Sequence, residues 1–268
     1  MEVEPPKRKR RWFQFSLRTL LIFVLVCAVG SAWLGVIAKR ANRQRVAVET
    51  IKKAGGTVYY DYQADADGVL RFPPSSPAYP EWLKNGLGVD YFSNVVRVSL
   101  NSRSDAGSFE ALSDLPHLGS VWLAGRNVTD SVLARTTTLS QLHALIVSNS
   151  AITATGWESL EHLPQLKMMN LQGSTLTDSV LLHIKSLTGL KRLFLDSPQI
   201  TDSGLTHIMA LSQLEELGLI HCPVTDNGLQ QLKTMTNLKK LLIAGTKTSV
   251  AGVKDLSRAL PTLAIRNR

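Results

Sequence analysis

Aliphatic residues recur at a fixed interval over the C-terminal two thirds of the chain. Six leucines stand 24 residues apart, each opening a copy of the pattern LxxLxLxxNxL: Leu118, Leu142, Leu166, Leu190, Leu214 and Leu238. An earlier copy begins at Val95, and a truncated one begins at Leu260, 22 residues after the sixth leucine. Because a dozen apolar positions agree with one register, the pattern predicts seven repeats and an eighth strand.

The two halves of each repeat have different periods. Leu193 and Leu195 alternate with polar positions, and this period of two predicts a short strand with its leucines on one side. Leu205, Ile208 and Leu211 follow at helical spacing. Since neither half can bury its apolar face alone, residues 93–268 are predicted to stack into an α/β solenoid, with a parallel sheet on the concave side and helices on the convex side.

A Thr-Asp pair marks one position of the repeat. It occurs at Thr129-Asp130, Thr177-Asp178, Thr201-Asp202 and Thr225-Asp226, and one repeat has Thr153-Ala154 instead. A ladder of carboxylates could bind cations. Helix capping tolerates the interruption better: the threonine accepts from backbone N–H groups, and the aspartate complements the helix dipole. We therefore predict caps here and no metal.

The repeats resemble a known family. The 24-residue period and the segments ITDSGL (200–205) and VTDNGL (224–229) are similar to cysteine-containing-type leucine-rich repeats. The whole layout, including FSLRTLL at 15–21, resembles membrane-anchored repeat proteins of planctomycete bacteria. The resemblance implies a ligand-binding scaffold without a particular ligand. The family's turn position, usually Asn or Cys, is varied in this chain, so Cys222 is expected to be a packing residue.

An uncharged run follows the first 18 residues, which form a basic tail. Residues 19–38 would span about 30 Å as a helix, the thickness of a bilayer's hydrocarbon core. A cleaved signal peptide is the alternative, with small-residue sites at 28–30 or 30–32. Because the apolar run continues past both sites, we predict a single uncleaved transmembrane helix whose partner is the lipid bilayer.

Charge is unevenly distributed along the chain. Residues 1–53 account for the whole formal net charge of +9, and the rest is balanced. A nucleic-acid groove would place its positive charge on the folded domain, so no nucleic-acid partner is expected. The charge instead suits anionic headgroups. Basic residues on both flanks do not decide the orientation, but the short tail favours a cytoplasmic N-terminus and extracytoplasmic repeats.

Residues 39–92 connect the membrane segment to the repeats. The pattern predicts a juxtamembrane helix at 41–54 ended by Gly55-Gly56, a strand at 57–62, a loop at 72–80 and a short helix at 81–87. A solenoid needs a cover over its first open end, so we assign an N-terminal cap to this segment. No comparable cap is expected after Ile265.

Motifs that carry catalysis are not found. The sequence has no nucleotide-binding glycine loop, no GxSxG and no HExxH. Cys27 and Cys222 lie in different segments and are not expected to pair. His183 and His207 occupy equivalent positions of adjacent repeats, but further metal ligands are lacking. We therefore expect no enzyme, no cofactor and no metal.

One row of strand residues is the candidate binding site. Between the second and third leucines of each strand, one side chain should point to the concave face: Ser99, Trp122, Ile146, Asn170, Phe194, Gly218 and Leu242. Large apolar residues there are β-favouring and each harmless alone. Together they could form an apolar stripe. With its charged neighbours, the candidate partner-binding set is Trp122, Ile146, Asn170, Arg192, Phe194, Asp196, Glu216, Lys240 and Leu242.

The predicted function is a membrane-anchored binding module that recognises a protein, peptide or glycan through this face. Two alternatives remain: a structural or assembly protein, and a regulatory adaptor on the cytoplasmic side.

Overall fold

The computed structural model describes residues 17–63, 79–173 and 175–267. The basic cluster at 7–11, the FSLRTLL entry before Leu17 and nearly all of the loop at 72–80 lie outside the described residues.

Strands and helices alternate along the described chain. The strands are β1 Thr57–Tyr60, β2 Val95–Leu100, β3 Ser120–Ala124, β4 Ala144–Ser148, β5 Met168–Gln172, β6 Arg192–Asp196, β7 Glu216–Ile220, β8 Lys240–Leu242 and β9 Ala264–Arg266. The α-helices are α1 Leu17–Lys53, α2 Glu81–Leu87, α3 Ala106–Glu110, α4 Asp130–Thr136, α5 Asp178–Ile184, α6 Asp202–Ile208, α7 Asp226–Leu232 and α8 Val250–Ala259. Short 3₁₀ helices occupy Asp61–Gln63, Val89–Tyr91, Ala111–Asp114 and Gly156–His162.

The nine strands form one sheet in chain order. From β2 to β9 all neighbours are parallel, and β1 adds antiparallel to the first edge. Adjacent strands pair with a step of one repeat, so that Leu145, Met169, Leu193 and Leu217 stand side by side. This topology confirms the leucine-rich-repeat solenoid.

The core lies between the sheet and the row of helices. The six leucines that open the repeats are each 1% exposed or less. After the strands the chain turns through the left-handed region at one repeat position, with φ between 50° and 142° at Gly125, Asn149, Gly173, His221 and Gly245. Glycine, asparagine and histidine tolerate this backbone conformation better than bulkier residues.

Two elements differ from their predicted form. The strand predicted at 57–62 ends at Tyr60, because the Tyr60 N–H donates to Gln63 Oε1 at 3.0 Å and the register with β2 shifts there. In the third repeat, which begins at Leu142, the predicted α-helix is the 3₁₀ helix Gly156–His162. Its preceding residue Thr155 has helical backbone angles, whereas the residue before each neighbouring α-helix is extended.

Helix α1 covers two segments that were predicted as separate helices. The predicted membrane span and the predicted juxtamembrane helix are one uninterrupted helix. Apolar side chains from Leu20 to Val36 are mostly exposed, whereas Ala47, Val48 and Ile51 belong to the repeat core. Among the described residues it is the one helix long and apolar enough to cross a membrane, although a signal sequence has the same character.

A buried amide fixes α1 to the first repeat. Gln44 is 3% exposed and donates to Asp90 Oδ1 at 2.9 Å and to the Ser93 carbonyl at 2.8 Å. Its Oε1 accepts from the Val95 N–H at 3.3 Å. Tyr60 adds a hydroxyl bond to the same Asp90 oxygen at 3.0 Å, so helix, β1 and β2 share one hydrogen-bond network.

The Thr-Asp pairs connect neighbouring repeats. The predicted helix cap is confirmed at Thr201 and Thr225, whose side chains accept a backbone N–H. The side chains of Thr129 and Thr177 accept none. Each aspartate instead reaches the next repeat: Asp178 accepts from the Thr201 N–H at 2.8 Å and from its hydroxyl at 2.6 Å. We call this arrangement the inter-repeat clamp. It recurs at Asp130–Thr153, Asp202–Thr225 and Asp226–Ser249.

A glycine accompanies every clamp. A Cβ at Gly204 would overlap Asp178 Oδ1, and Gly156, Gly228 and Gly252 are equally close to Asp130, Asp202 and Asp226. Where the preceding repeat has alanine instead of aspartate, the glycine position is valine: Ala106 with Val132 and Ala154 with Val180. The two positions therefore vary together within one chain, because the carboxylate and a β-carbon compete for the same space.

Candidate functional site

The predicted row of residues is aligned across the sheet. Ser99 pairs with Trp122, Trp122 with Ile146, and the line continues through Asn170, Phe194, Gly218 and Leu242. The apolar residues on either side of it in each strand are buried in the core, so this row lies on the opposite, concave face.

Trp122 is the most exposed large residue of this row. Its side chain is 41% exposed, and its indole N–H donates to Ser148 Oγ on the next strand at 3.2 Å. That bond holds the indole across β4, where Ile146 is the adjacent member of the row. Ile146 and Asn170 are half-buried. On the half of the face formed by β3 to β5, the Trp122 ring is thus held in one orientation, and Ile146 and the polar Asn170 follow it in the row.

The other half of the face contains a cavity of about 410 Å³. It is lined by Phe194, Glu216, Leu217, Lys240, Leu241, Leu242, Ala264 and Arg266. Four of the sequence-predicted residues meet here, whereas Trp122, Ile146 and Asn170 lie outside it. Ala264 and Arg266 belong to β9 and were missed. The 24-residue step from Lys240 and Leu242 would have found them, since these residues pair in register.

Gly218 makes room for the aromatic ring of Phe194. A Cβ at Gly218 would lie 2.6 Å from Phe194 Cδ1, so the ring extends over the neighbouring strand. Gly218 is itself buried, because the ring covers the position that a side chain at Gly218 would take. Glycine therefore shapes this cavity and does not merely interrupt the apolar stripe.

The four charged candidates fall on two sides of the row. Arg192, Glu216 and Lys240 stand in register on β6, β7 and β8, and Lys240 Nζ contacts Glu216 Oε1 at 2.6 Å. Within the described part of the chain, Arg192 forms no ion pair. Arg192 is thus a cation without an acidic partner at the rim of the concave face.

Asp196 is engaged within the protein on the opposite side. Its Oδ2 accepts from Gln172 Nε2 at 3.0 Å, and His221 Nδ1 lies 3.0 Å from Oδ1. Both oxygens are used by neighbouring repeats. The bond to His221 also supports the left-handed backbone of that residue.

A second row of charged residues lies beside Arg192, Glu216 and Lys240, at the position just before each of these strands begins. Glu215 contacts Lys239 at 2.7 Å and Lys191 at 3.4 Å. The hydrogen bond and charge of Lys239, followed by those of Lys191, lower the pKa of the Glu215 carboxyl. Both lysines are largely exposed, so these pairs stabilise the fold little. These residues were not among the predicted site residues, although they repeat at the same 24-residue step.

Metal-binding and redox candidates lie apart from one another. In the described residues no three His, Cys, Asp or Glu side chains are grouped as metal ligands. His183 contacts Glu161 at 3.0 Å. Cys222 is fully buried, as expected for a packing residue, and burial raises the pKa of its thiol to about 11.

Comparisons with known proteins give the following results. No protein-family model matches the chain, and no curated protein matches it. Solved structures that are similar include internalin C2 of Listeria monocytogenes, with 17% identity over 64% of this chain and 81% of that chain, at a TM-score of 0.46. A leucine-rich-repeat protein of Leptospira interrogans has 17% identity over 58% of this chain and 38% of its own, at 0.41. Another Listeria monocytogenes internalin has 16% identity over 63% and 54%, also at 0.41.

The chain's own strand register and buried leucine ladder thus place it in the leucine-rich-repeat fold class.

Proposed function

We propose that the protein is a membrane-anchored binding module that holds a protein or peptide partner, or a glycan, on its concave face. The observation that carries this proposal is the aligned row from Trp122 to Leu242, which places large apolar side chains on the open side of the sheet. It ends in a cavity of about 410 Å³.

The composition of this face is suited to partner binding. Aromatic residues and arginine are enriched among the residues that dominate binding energy, and Trp122, Phe194, Arg192 and Arg266 are of these types. The apolar floor formed by Phe194 and Leu242 can release water on contact. The charged rim can fix orientation and exclude wrongly charged partners.

The anchor part of the proposal places residues 19–38 across the membrane, with the N-terminus cytoplasmic and the repeats outside. It is supported by the exposed apolar surface of α1 between Leu20 and Val36. Protease added to intact spheroplasts should then digest the repeats. If the repeats survive until the membrane is permeabilised, the orientation is wrong and the cytoplasmic adaptor takes precedence.

A photo-crosslinking amino acid tests the binding face in native membranes. Placed at Ile146, it should give covalent adducts with a partner. Placed at Leu182, on convex helix α5, it should give none.

A pair of matched double variants then tests how much the concave face contributes to the free energy of partner binding. Trp122→Ala with Phe194→Ala should lower partner capture at least 30-fold, since truncating one such anchor costs about 2 kcal/mol. Leu182→Ala with Met209→Ala removes apolar side chains of similar exposure, 40% and 39%, from the convex side and should leave capture unchanged.

Two results would contradict the concave-face proposal. Adducts confined to the convex position, or capture that survives the first double variant with an unchanged melting transition, would place the partner elsewhere. Adducts only between two copies of this chain would favour the assembly protein instead.

A further inference from the structure

A second cavity lies where α1 leaves the predicted membrane span. It measures about 270 Å³ and is lined by Val36, Lys39, Arg40, Arg43, Ser113, Asp114 and Pro116. The four α1 residues have the spacing i, i+3, i+4 and i+7, so they share one face of the helix. Opposite them are Ser113 and Asp114, the last two residues of the 3₁₀ helix Ala111–Asp114, and Pro116, which follows it in the first repeat.

The depth of this cavity follows from helix geometry. The apolar run ends at Ala38, and Lys39, Arg40 and Arg43 come one, two and five residues later. At a rise of about 1.5 Å per residue, these side chains begin about 1.5 to 7.5 Å beyond the hydrocarbon core along the helix axis. The headgroup layer of one leaflet is about 5–7 Å thick. The cavity therefore lies at the level of the lipid phosphates.

Positive charge dominates the cavity. Three cations face one carboxylate, Asp114, and within the described residues none of the three forms an ion pair. Burial and then the charge of Arg40 lower the pKa of the neighbouring His117 imidazole, and the charge of Asp61 partly opposes them. The three cations outnumber the one carboxylate in the lining, so an anion at this site would meet an excess of positive charge.

The cavity has rigid walls. One wall is α1, whose next turns are fixed in the repeat core by Ala47, Val48 and Ile51 and by the buried amide of Gln44. In the other wall, Ser113 and Asp114 lie between Leu112 and Leu115, which are both 2% exposed or less, and Pro116 follows directly. The basic residues are thus presented by a folded surface and not by a flexible linker.

We propose that this cavity binds the phosphate of an anionic phospholipid headgroup. Arg40 and Arg43 contact the phosphate oxygens, with Lys39 beside them, and the lipid fills the gap between the helix and the first repeat. Binding holds the solenoid at one orientation on the membrane surface. This inference rests on the anchor part of the proposed function and is independent of the concave face.

The test uses the full chain in nanodiscs of phosphatidylcholine containing one fifth phosphatidylglycerol. Native mass spectrometry counts the lipids that stay bound after release from the disc. The wild type should retain phosphatidylglycerol preferentially. Arg40→Gln with Arg43→Gln should reduce that preference about 30-fold, because each basic residue near the surface contributes about 1 kcal/mol, or about fivefold.

A matched control removes the same charge from the same helix. Lys52 and Lys53 lie about 20 Å past Ala38, well beyond the screening length of about 8 Å at physiological salt. Lys52→Gln with Lys53→Gln should therefore retain the preference. Arg40→Lys with Arg43→Lys should retain most of it, which shows that charge at this position is required. Circular dichroism of each variant checks that the fold is intact.

Several results would overturn the inference. These are a wild type without lipid preference, an equal loss in the Lys52/Lys53 variant, or displacement of phosphatidylglycerol by millimolar inorganic phosphate, which would identify a free anion as the ligand. A chain that does not enter the nanodisc would refute the anchor and the headgroup site together. Insertion is measured separately, so that the two failures are distinguishable.

Discussion

The inter-repeat clamp between Asp178 and Thr201, with Gly204 packed against it, allows a prediction whose sign is unusual. Gly204 is the third residue of α6, where alanine ordinarily favours the helix by about 1 kcal/mol over glycine. In this protein a Cβ at Gly204 would overlap Asp178 Oδ1 and lie 2.8 Å from Leu181 Cδ1. Gly204→Ala should therefore destabilise the protein.

The magnitude follows from two opposing terms. Forcing a methyl group into a filled space costs about 1–3 kcal/mol. Displacing the Asp178 carboxylate also weakens its two bonds to Thr201, which are worth about 1.5–3 kcal/mol each when the acceptor is charged and less at a half-exposed site. After the helix gain is subtracted, we expect a net loss of about 1–3 kcal/mol in the free energy of unfolding.

A double-mutant cycle isolates the cause. Asp178→Ala alone should destabilise by about 1–2 kcal/mol through the lost hydrogen bonds. In that background Gly204→Ala should be neutral or stabilising, because the overlapping oxygen is gone. Asp178→Ala with Gly204→Val should also fold, since it reproduces the pairing of Ala154 and Val180 that this chain already contains.

Urea unfolding of the full chain in mild detergent measures the cycle. Far-ultraviolet circular dichroism reports the helices and strands, and buried Trp157 gives an independent fluorescence signal. A coupling energy of about 2 kcal/mol, with the double variant less destabilised than the sum of the singles, is expected. Additivity within about 0.5 kcal/mol, or a stabilising Gly204→Ala in the wild type, would refute the clamp.

Two further predictions concern the cap and the surface carboxylates. Gln44→Ala should lower the free energy of unfolding by about 2–3 kcal/mol, because it removes one of the hydrogen bonds to Asp90 and the bonds of Gln44 to the Ser93 carbonyl and the Val95 N–H. A change below about 0.5 kcal/mol in urea unfolding would contradict the cap role of α1. Hydrogen bonds from Ser249, Lys233 and Lys239 lower the pKa values of Asp226, Asp255 and Glu215 from their ordinary 3.8, 3.8 and 4.5. Their stabilisation is therefore present above the ordinary values and is lost as the pH falls through the lowered ones. The Tm should drop as the pH falls below about 4.5, and a constant Tm would argue against it.

Much of the fold followed from periodicity. The repeat register is written in leucines at fixed spacing, because each such residue must be buried for the solenoid to form. The row of candidate residues on the concave face came from the same register, since side chains alternate strictly along a strand. The nine strands, the core and the alignment of Trp122 with Ile146 were therefore accessible from the sequence.

Two features of the site required more than periodicity. The cavity between Phe194 and Leu242 depends on how a ring lies over a neighbouring glycine. Asp196 is unavailable to a partner because residues of the two neighbouring repeats, Gln172 and His221, bind its carboxylate. The pairing of aspartate with glycine between neighbouring repeats is present in the sequence. Its cause, the overlap of the carboxylate with a β-carbon at the glycine position, is seen only in the tertiary structure.

The sequence by itself determined the solenoid, its register and the apolar run before it, because these depend on spacing and on the burial of apolar surface, which are local and repetitive. Only the tertiary structure decided that α1 is one helix fixed to the first repeat through Gln44. It also decided that Lys39, Arg40 and Arg43 face the loop near Pro116, more than 70 residues away in sequence. Contacts between such distant residues depend on the relative position of whole elements, and no repeat or period in the chain encodes that position.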